Sequence, residues 1–484
     1  MPDWSGLIPL MPAASDLPGS RARGVYAALR RAIETGRLPP GAKLPPSRAL
    51  AAQWGLARGA VVAGYEMLLA EGFAEARVGA GTFVAGAVPQ LAPPPAAPPT
   101  TAAWQARDLP GDLGLAFPDP ISLAALRVLV SRTLARPAPA LFHYADPRGD
   151  AGLRAALADY LRVARGLRLD PDRIVLTAGT QGALDLIARA VLAPGDTVWM
   201  EDPGYPSARA AFADQRLCPV PVDAEGLDVA AGIARAPGAR AAYVTPAHQF
   251  PLGVVLSMRR RLALLDWAAR AGAWVIEDDY DSEFRYAGPP LAALQGMDGA
   301  GRVIYAGTFS KALMPGLRMG YLVLPEALIA PVLALRQRSD RAPAGLIEPA
   351  MAAFLAEGGF ARHLRRARLR SLAARDALVA ALRDGGAQPK APDQGLHLTL
   401  PLPTGTDDHA LVARLRAAGL GCRALSGMYA GPDCPSPARP GLVIGFSGHA
   451  PEVLGAAARR GRAAVQGGLS AAFEPAAHSQ AEDI

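Results

Sequence analysis

Gly307-Thr308-Phe309-Ser310-Lys311-Ala312-Leu313-Met314-Pro315-Gly316-Leu317-Arg318 is the stretch on which the reading of this chain turns. Of the 50 basic residues in the chain, only Lys43, Lys311 and Lys390 are not arginine. A guanidinium supplies charge and hydrogen-bond donors, but it is never neutral in a protein and cannot become an imine. An amine kept at position 311 therefore points to covalent chemistry at a carbonyl.

The segment follows Val303-Ile304-Tyr305, an apolar run of strand type, and Asp278 follows a second run, Trp274-Val275-Ile276, after Glu277. Two strand ends thus offer an amine and a carboxylate. A lysine that forms a Schiff base needs a carbonyl cofactor. An electron-sink cofactor such as pyridoxal 5′-phosphate (PLP) also needs an acid partner to keep its ring nitrogen protonated, and Asp278 suits that task. Thr177-Ala178-Gly179-Thr180-Gln181-Gly182-Ala183-Leu184 adds a strand end, a glycine turn and a helix start, whose bare amides attract a phosphate. Thr308, Ser310 and Arg318 can add hydroxyl and guanidinium donors.

Further runs, Ile174 to Thr177, Thr197 to Met200 and Ala241 to Val244, alternate with helical patterns. Strands apolar on both faces, separated by helices, predict an α/β fold with a mostly parallel sheet and a site beyond the strands' carboxyl ends. The 484 residues exceed one core, and Pro93-Pro94-Pro95 with Pro98-Pro99 mark a linker. The expected division is 1–84, linker 85–111, large domain 112–370, small C-terminal α/β domain 371–466 and tail 467–484. The arginines between Arg362 and Arg370 are expected to form a solvated helix face. No run of 18 apolar residues and no basic-then-apolar leader occurs, so a cytoplasmic chain without a membrane span is expected. Cys218, Cys422 and Cys434 are too scattered to predict a disulfide or a zinc site.

Four motifs occur in order: Glu201-Asp202-Pro203-Gly204-Tyr205-Pro206, Thr245 to Gly253, Glu277 to Tyr286, and Gly307 to Arg318. Together they resemble the aminotransferase-like domain of MocR-type regulators, of the fold type I PLP superfamily. The resemblance implies that Lys311 holds PLP as an internal aldimine, with Asp278 at the ring nitrogen and Tyr280 at the ring hydroxyl. Tyr205 and His248 would lie at the ring, and Thr180, Gln181, Thr308, Ser310 and Arg318 at the phosphate. Tyr144 would reach in from the other subunit of a homodimer. One departure stands out. Aminotransferases of the superfamily usually place a carboxylate-binding arginine just before a Gly-Phe or Ser-Phe pair, where this chain has Val443-Ile444-Gly445-Phe446; Arg423 and Arg439, nearby in sequence, are the candidate substitutes, although neither falls at the motif position.

Nine basic residues against four Glu lie between Ser20 and Val84. A helix over Val25 to Ile33, a second from Ser47 as N-cap to Trp54, a third from Arg58 to Ala70 and a hairpin over Gly72 to Val84 predict a winged helix-turn-helix. Leu44 to Ala51, Ala57 to Val61 and Gly79 to Val84 resemble the GntR family. That implies double-stranded DNA contacts by Ser47, Arg48, Arg58, Gly59 and the wing residues Gly79, Gly81 and Thr82. Ala57 and Ala60 replace the family's Ser and Thr, and Gly59 weakens the recognition helix by roughly 1 kcal/mol relative to Ala. The expected function is a PLP-dependent regulator that senses PLP itself or a small amine or amino acid. An active aminotransferase with an idle N-terminal module is the alternative.

Overall fold

Val25, Ala28, Leu29, Ala32 and Ile33 recur at helical spacing, and in the computed structural model they form the buried stripe of helix α1, Arg21–Glu34. The structure describes residues 21–87 and 108–465, apart from 145, 289–290, 343–344, 385 and 432–436. Most of the expected linker, all of the expected tail and Cys434 lie outside these residues. The chain forms two units, Met1–Ala106 and Arg107–Ile484.

In the first unit α1 is followed by α2, Ser47–Trp54, and α3, Arg58–Ala70, then by the antiparallel strands β1, Ala74–Arg77, and β2, Gly81–Val84. Gly55, with φ of 61°, turns α2 toward α3. Leu29, Leu50, Val61, Leu68, Phe73 and Val84 share one core. Ser47 is the first helical residue and not the N-cap; Pro46 holds that position and has no side-chain acceptor, while Ser47 Oγ accepts from Arg58 Nε at 3.3 Å. A Cβ on Gly64 would lie 2.7 Å from Val25 Cγ1, so α1 and α3 meet closely there. Gly64→Val is expected to cost about 1–3 kcal/mol or more by overpacking. Thermal melting of the full chain would show the transition of this unit shifted down, with that of the larger unit unmoved; an unchanged melt would refute the close contact.

The second unit holds β3, Ile174–Thr177; β4, Thr197–Asp202; β5, Arg216–Asp223; β6, Gly226–Leu227; β7, Ala241–Val244; β8, Trp274–Asp279; β9, Val303–Thr308; and β10, Gly320–Val323. They form one sheet in the order β3-β10-β9-β8-β7-β4-β5-β6. The run β9-β8-β7-β4-β5 is parallel, whereas β10 is antiparallel to both neighbours. Alternate residues serve opposite faces: Ile174 and Leu176 enter one core with Leu157 and Phe354, and Val175 enters another with Leu184 and Val332. Pro219 and Pro221 hide β5 from a sequence reading. They are tolerated because β5 pairs with β4 over Arg216 to Pro221 and with β6 only at Val222 and Asp223, which leaves the other side of both prolines without a strand.

A second sheet holds β11, His397–Pro401; β12, Arg423–Ala424; and β13, Gly441–Gly445, all antiparallel with β13 in the middle. The helix Gly359–Arg383 runs through position 370, where a boundary was expected. Its arginines are only partly a solvated face: Arg366 and Arg370 reach buried Asp119, and Arg368 donates to Glu283 O. Among the described residues no helix is long and apolar enough to cross a membrane, and Cys218 and Cys422 are free and buried.

Candidate functional site

Parallel strands end on the same edge of a sheet, and loops beyond that edge can converge. Here they enclose a pocket of about 260 Å³. The stretch from Glu277 to Asp279 shows how alternation sorts the acids. Glu277 accepts from the amides of Leu294 and Gln295 at 2.9 and 3.0 Å, and Asp279 accepts from Arg165 Nε at 2.7 Å and Tyr305 Oη at 2.6 Å. Asp278, between them, faces the pocket. Tyr243 Oη donates to Asp278 Oδ2 at 2.6 Å, and Oδ1 is buried without a partner. Burial pushes this carboxyl up to about 7.

Lys311 leaves β9 on a short helix, Phe309–Ala312, whose first turn is fixed by Thr308 Oγ1 accepting from Ser310 N at 3.1 Å. Phe309 and Ala312 are buried, which leaves Lys311 to enter the pocket. Burial lowers its pKa, opposed by the Asp281 and Asp278 carboxylates, and so favours the neutral, nucleophilic amine. A strap over 110–115 approaches closely: Gly445 N donates to Gly111 O at 2.8 Å, and a Cβ on Gly114, where φ is 85°, would lie 2.6 Å from Lys311 Nζ. Glycine is favoured there by its left-handed backbone.

The helix Gly179–Val191 starts at the pocket, and Ala178 before it offers no side-chain cap, so its first amides are open to an anion. Thr180, Gln181, Ser207, Thr308, Ser310 and Arg318 line the pocket too. Arg318 holds a left-handed backbone, φ 47°, and donates from Nη2 to Ala178 O at 3.1 Å, lying against Gly179. Tyr205 stands edge-on to Phe250 with centroids 5.6 Å apart, and Tyr280 Oη donates to His248 O at 2.9 Å; both tyrosines line the pocket.

Two expected residues are not at the pocket of their own chain. His248 is buried behind its wall, with Nδ1 2.9 Å from Asp281 Oδ2. Tyr144 is 85% exposed, with Arg341 Cζ 4.7 Å from its ring centroid. The residue at the wall is His397 on β11, which donates from Nε2 to Pro251 O at 3.0 Å; burial lowers its pKa to about 3, so it is neutral. His248, Asp281 and His397 place ligand-type atoms within 4.8 Å of one another, and the Asp281 and Pro251 contacts already occupy one nitrogen of each ring. Tyr243, Phe250, Ser207, Gly114 and Leu113 also line the pocket and escaped the sequence reading, whereas Arg423, named as a possible substitute for the missing arginine, does line it. Tyr243 did carry a signal, since a hydroxyl in a doubly buried strand needs a partner.

In the first unit Arg48, Arg58 and Gly59 are exposed. Gly79 and Gly81 at the wing have φ of 75° and 113°, and Thr82 is half-buried. Arg77 stacks on Phe83 at 4.4 Å to the ring centroid, and Lys43 approaches the same ring at 5.7 Å.

Residues 119–450 match the family described as aminotransferase class I and II, and residues 21–84 match the bacterial regulatory proteins of the gntR family. The chain is 35% identical over 456 residues to the "Probable rhizopine catabolism regulatory protein MocR" of Rhizobium meliloti, covering 89% of this chain and 91% of that protein. The chain belongs to the MocR-type regulators. It is also 34% identical over 436 residues to the pyridoxine biosynthesis transcriptional regulator PdxR of Corynebacterium glutamicum, covering 88% and 92%. Among solved structures, an archaeal alanine:glyoxylate aminotransferase matches with a TM-score of 0.69 and 28% identity, covering 74% of this chain and 91% of that one.

This MocR-type regulator therefore joins a gntR-type DNA-binding region to a PLP-dependent fold type I domain, and it is a transcription regulator rather than primarily an enzyme. Its residues fit PLP on three counts: a buried amine, an orphaned carboxylate oxygen and an uncapped helix start within one pocket. When bound, the cofactor supplies the electron sink. In that fit Lys311 Nζ would be the nucleophile, Asp278 Oδ1 would accept from a ring N–H, and the start of the helix Gly179–Val191 would donate to the phosphate.

Proposed function

We propose that this regulator senses PLP or a small amine in the Lys311 pocket and transmits occupancy to operator binding by its winged helix. The unpartnered, buried Asp278 Oδ1 carries this reading, because a carboxylate oxygen left without a donor is costly unless a ligand completes it. Thr180, Gln181, Thr308, Ser310 and Arg318 hold the phosphate; Tyr205 and Tyr280 contact the ring; His248 acts behind Tyr280. Two chains pair, with exposed Ile121, Val128 and Leu134 on the helix Pro120–Ala135 as interface material and Tyr144 serving the partner's pocket. An effector changes operator binding only by binding two arrangements with different affinity.

Footprinting on DNA upstream of the chain's own gene, with and without PLP and amines, tests the proposal. A protected site that changes with ligand is expected; no protection under any condition would sink it. Ser47, Arg48, Arg58, Gly59 and the wing from Gly79 to Thr82 make the DNA contacts. Arg48→Ala and Arg58→Ala are each expected to weaken operator binding, and a lost phosphate contact would lower the slope of log K against log salt by about 1. Affinity measured at two or more salt concentrations checks this. Residual transamination would show as conversion to the pyridoxamine form followed by turnover with an oxo acid.

A further inference from the structure

A cluster behind the pocket wall holds a polar atom that the cofactor reading leaves unused. His248 follows β7, Asp281 follows β8 and His397 opens β11, so three separate elements bring these buried residues together. Their ligand-type atoms lie within 4.8 Å of one another, and the centroids of the two imidazole rings are 4.8 Å apart.

Within the protein His248 uses only one of its ring nitrogens. Nδ1 lies 2.9 Å from Asp281 Oδ2 and 3.1 Å from Tyr280 Oη, whereas Nε2 is buried with no hydrogen-bond partner among the described residues. A neutral imidazole that gives its Nδ1 proton to a carboxylate carries its lone pair on Nε2. Such a lone pair, buried without a donor, is costly unless a ligand completes it. His397 has the mirror arrangement: Nε2 donates to Pro251 O at 3.0 Å, which leaves the lone pair to Nδ1. Metal-binding histidines are held in this way, one nitrogen donating to a carboxylate or a backbone carbonyl and the other turned to the ion. Both kinds of supporting partner are present. The space at His248 Nε2 is also kept clear of side chains, because a Cβ on Gly395 would lie 2.6 Å from that atom and one on Gly253 3.2 Å from it.

We propose that His248 Nε2 and His397 Nδ1 form a binding site for one Zn²⁺-type divalent cation at the pocket wall, with Asp281 orienting His248 and water filling the remaining positions. Two imidazole nitrogens suit a borderline cation and not Mg²⁺ or Ca²⁺, which take oxygen ligands. Nitrogens about 2.0–2.1 Å from a tetrahedral zinc stand roughly 3.4 Å apart, so binding draws the two rings together. His397 lines the pocket and gives the ion its route in. Tyr280 Oη donates to His248 O at 2.9 Å and lines the pocket too, so the ion steadies the ring on which this tyrosine rests.

The test uses the full-length chain, stripped of metal by a chelator and examined with and without PLP. Calorimetric titration is expected to show one Zn²⁺ per chain, bound about 100-fold or more tightly than Mg²⁺. Zinc X-ray absorption of the unaltered chain is expected to show imidazole nitrogen at about 2.0–2.1 Å. His248→Asn keeps a donor toward Asp281, and His397→Gln keeps one toward Pro251 O, so each removes the ligand nitrogen while sparing the supporting contact. Each is expected to weaken Zn²⁺ by about 100-fold or more, and Asp281→Asn by about 10- to 100-fold. His409→Gln, at an exposed histidine, is expected to leave binding unchanged. Absence of stoichiometric binding, which would leave His248 Nε2 to a water at most, would overturn the proposal. So would sulfur ligands at about 2.3 Å, or an affinity that both histidine variants leave intact. The sensing proposal stands or falls separately, on operator protection.

Discussion

Lys311→Ala is expected to abolish covalent PLP retention completely, and Lys311→Arg to do the same although it keeps the charge. Among the described residues that line the pocket, Lys311 carries the one primary amine and so the one group that forms an imine with an aldehyde; a guanidinium does not. Borohydride reduction of the loaded protein followed by peptide mass analysis reads the result directly. Because the chain has three lysines, the assignment is unambiguous: the adduct maps to Lys311 and not to Lys43 or Lys390. An adduct on either of the other two, or one that survives Lys311→Ala, would refute the site. With the covalent link gone, any change of operator binding caused by PLP is expected to disappear too. A response that persisted would place the sensing element elsewhere.

Asp278→Asn should move stability and cofactor affinity in opposite directions. The carboxyl is buried, and its folded pKa rises from the ordinary 3.8 to about 7. Between those values the folded, cofactor-free protein binds a proton that the unfolded chain does not. Stability from this group is therefore greatest at the acid end of that window and declines as pH rises through 7. Asp278→Asn removes the ionisable group, and it is expected to stabilise the cofactor-free protein at pH 8 by about 2–4 kcal/mol. Buried Glu201, Glu277 and Glu283, also raised to about 7, leave a residual slope of the same sign. PLP affinity should fall by roughly 10²-fold, since a buried charge partner is lost. Denaturant midpoints from pH 5 to 8, paired with cofactor titration, check both. A parallel pH profile in the variant would refute the raised pKa of the buried carboxyl, and unchanged PLP affinity would show that Asp278 does not face the ring.

Much of the pocket was legible because it is built from short contiguous segments. Lys311, Asp278 and Thr180 each lie at the junction of a strand and a turn, and such junctions show as a change from apolar runs to glycine and polar residues. The same holds for the wing glycines Gly79 and Gly81, whose positive φ is a local demand. His248 and His397 were not separable in this way. Both are histidines near apolar runs, and which of them reaches the pocket depends on the β11 register and on Asp281 drawing His248 inward. Tyr144 illustrates the same limit, since its ring is 85% exposed and the role expected of it lies outside its own segment.

By itself, then, the sequence determined the alternation of strands β3, β4, β7, β8 and β9 with helices, and it singled out the amine, the acid and the uncapped helix start, because each rests on interactions within a few residues. Only the tertiary structure decided that β10 runs antiparallel between β3 and β9, and that Pro-containing β5 belongs to the sheet. It likewise decided that Gly114 closes over Lys311 and that Arg423 stands opposite Val443. The physical reason is distance along the chain: Gly114 and Lys311 meet through packing of segments far apart in sequence, and strand register is set by the sum of many side chains seeking burial. Those contacts depend on the whole core.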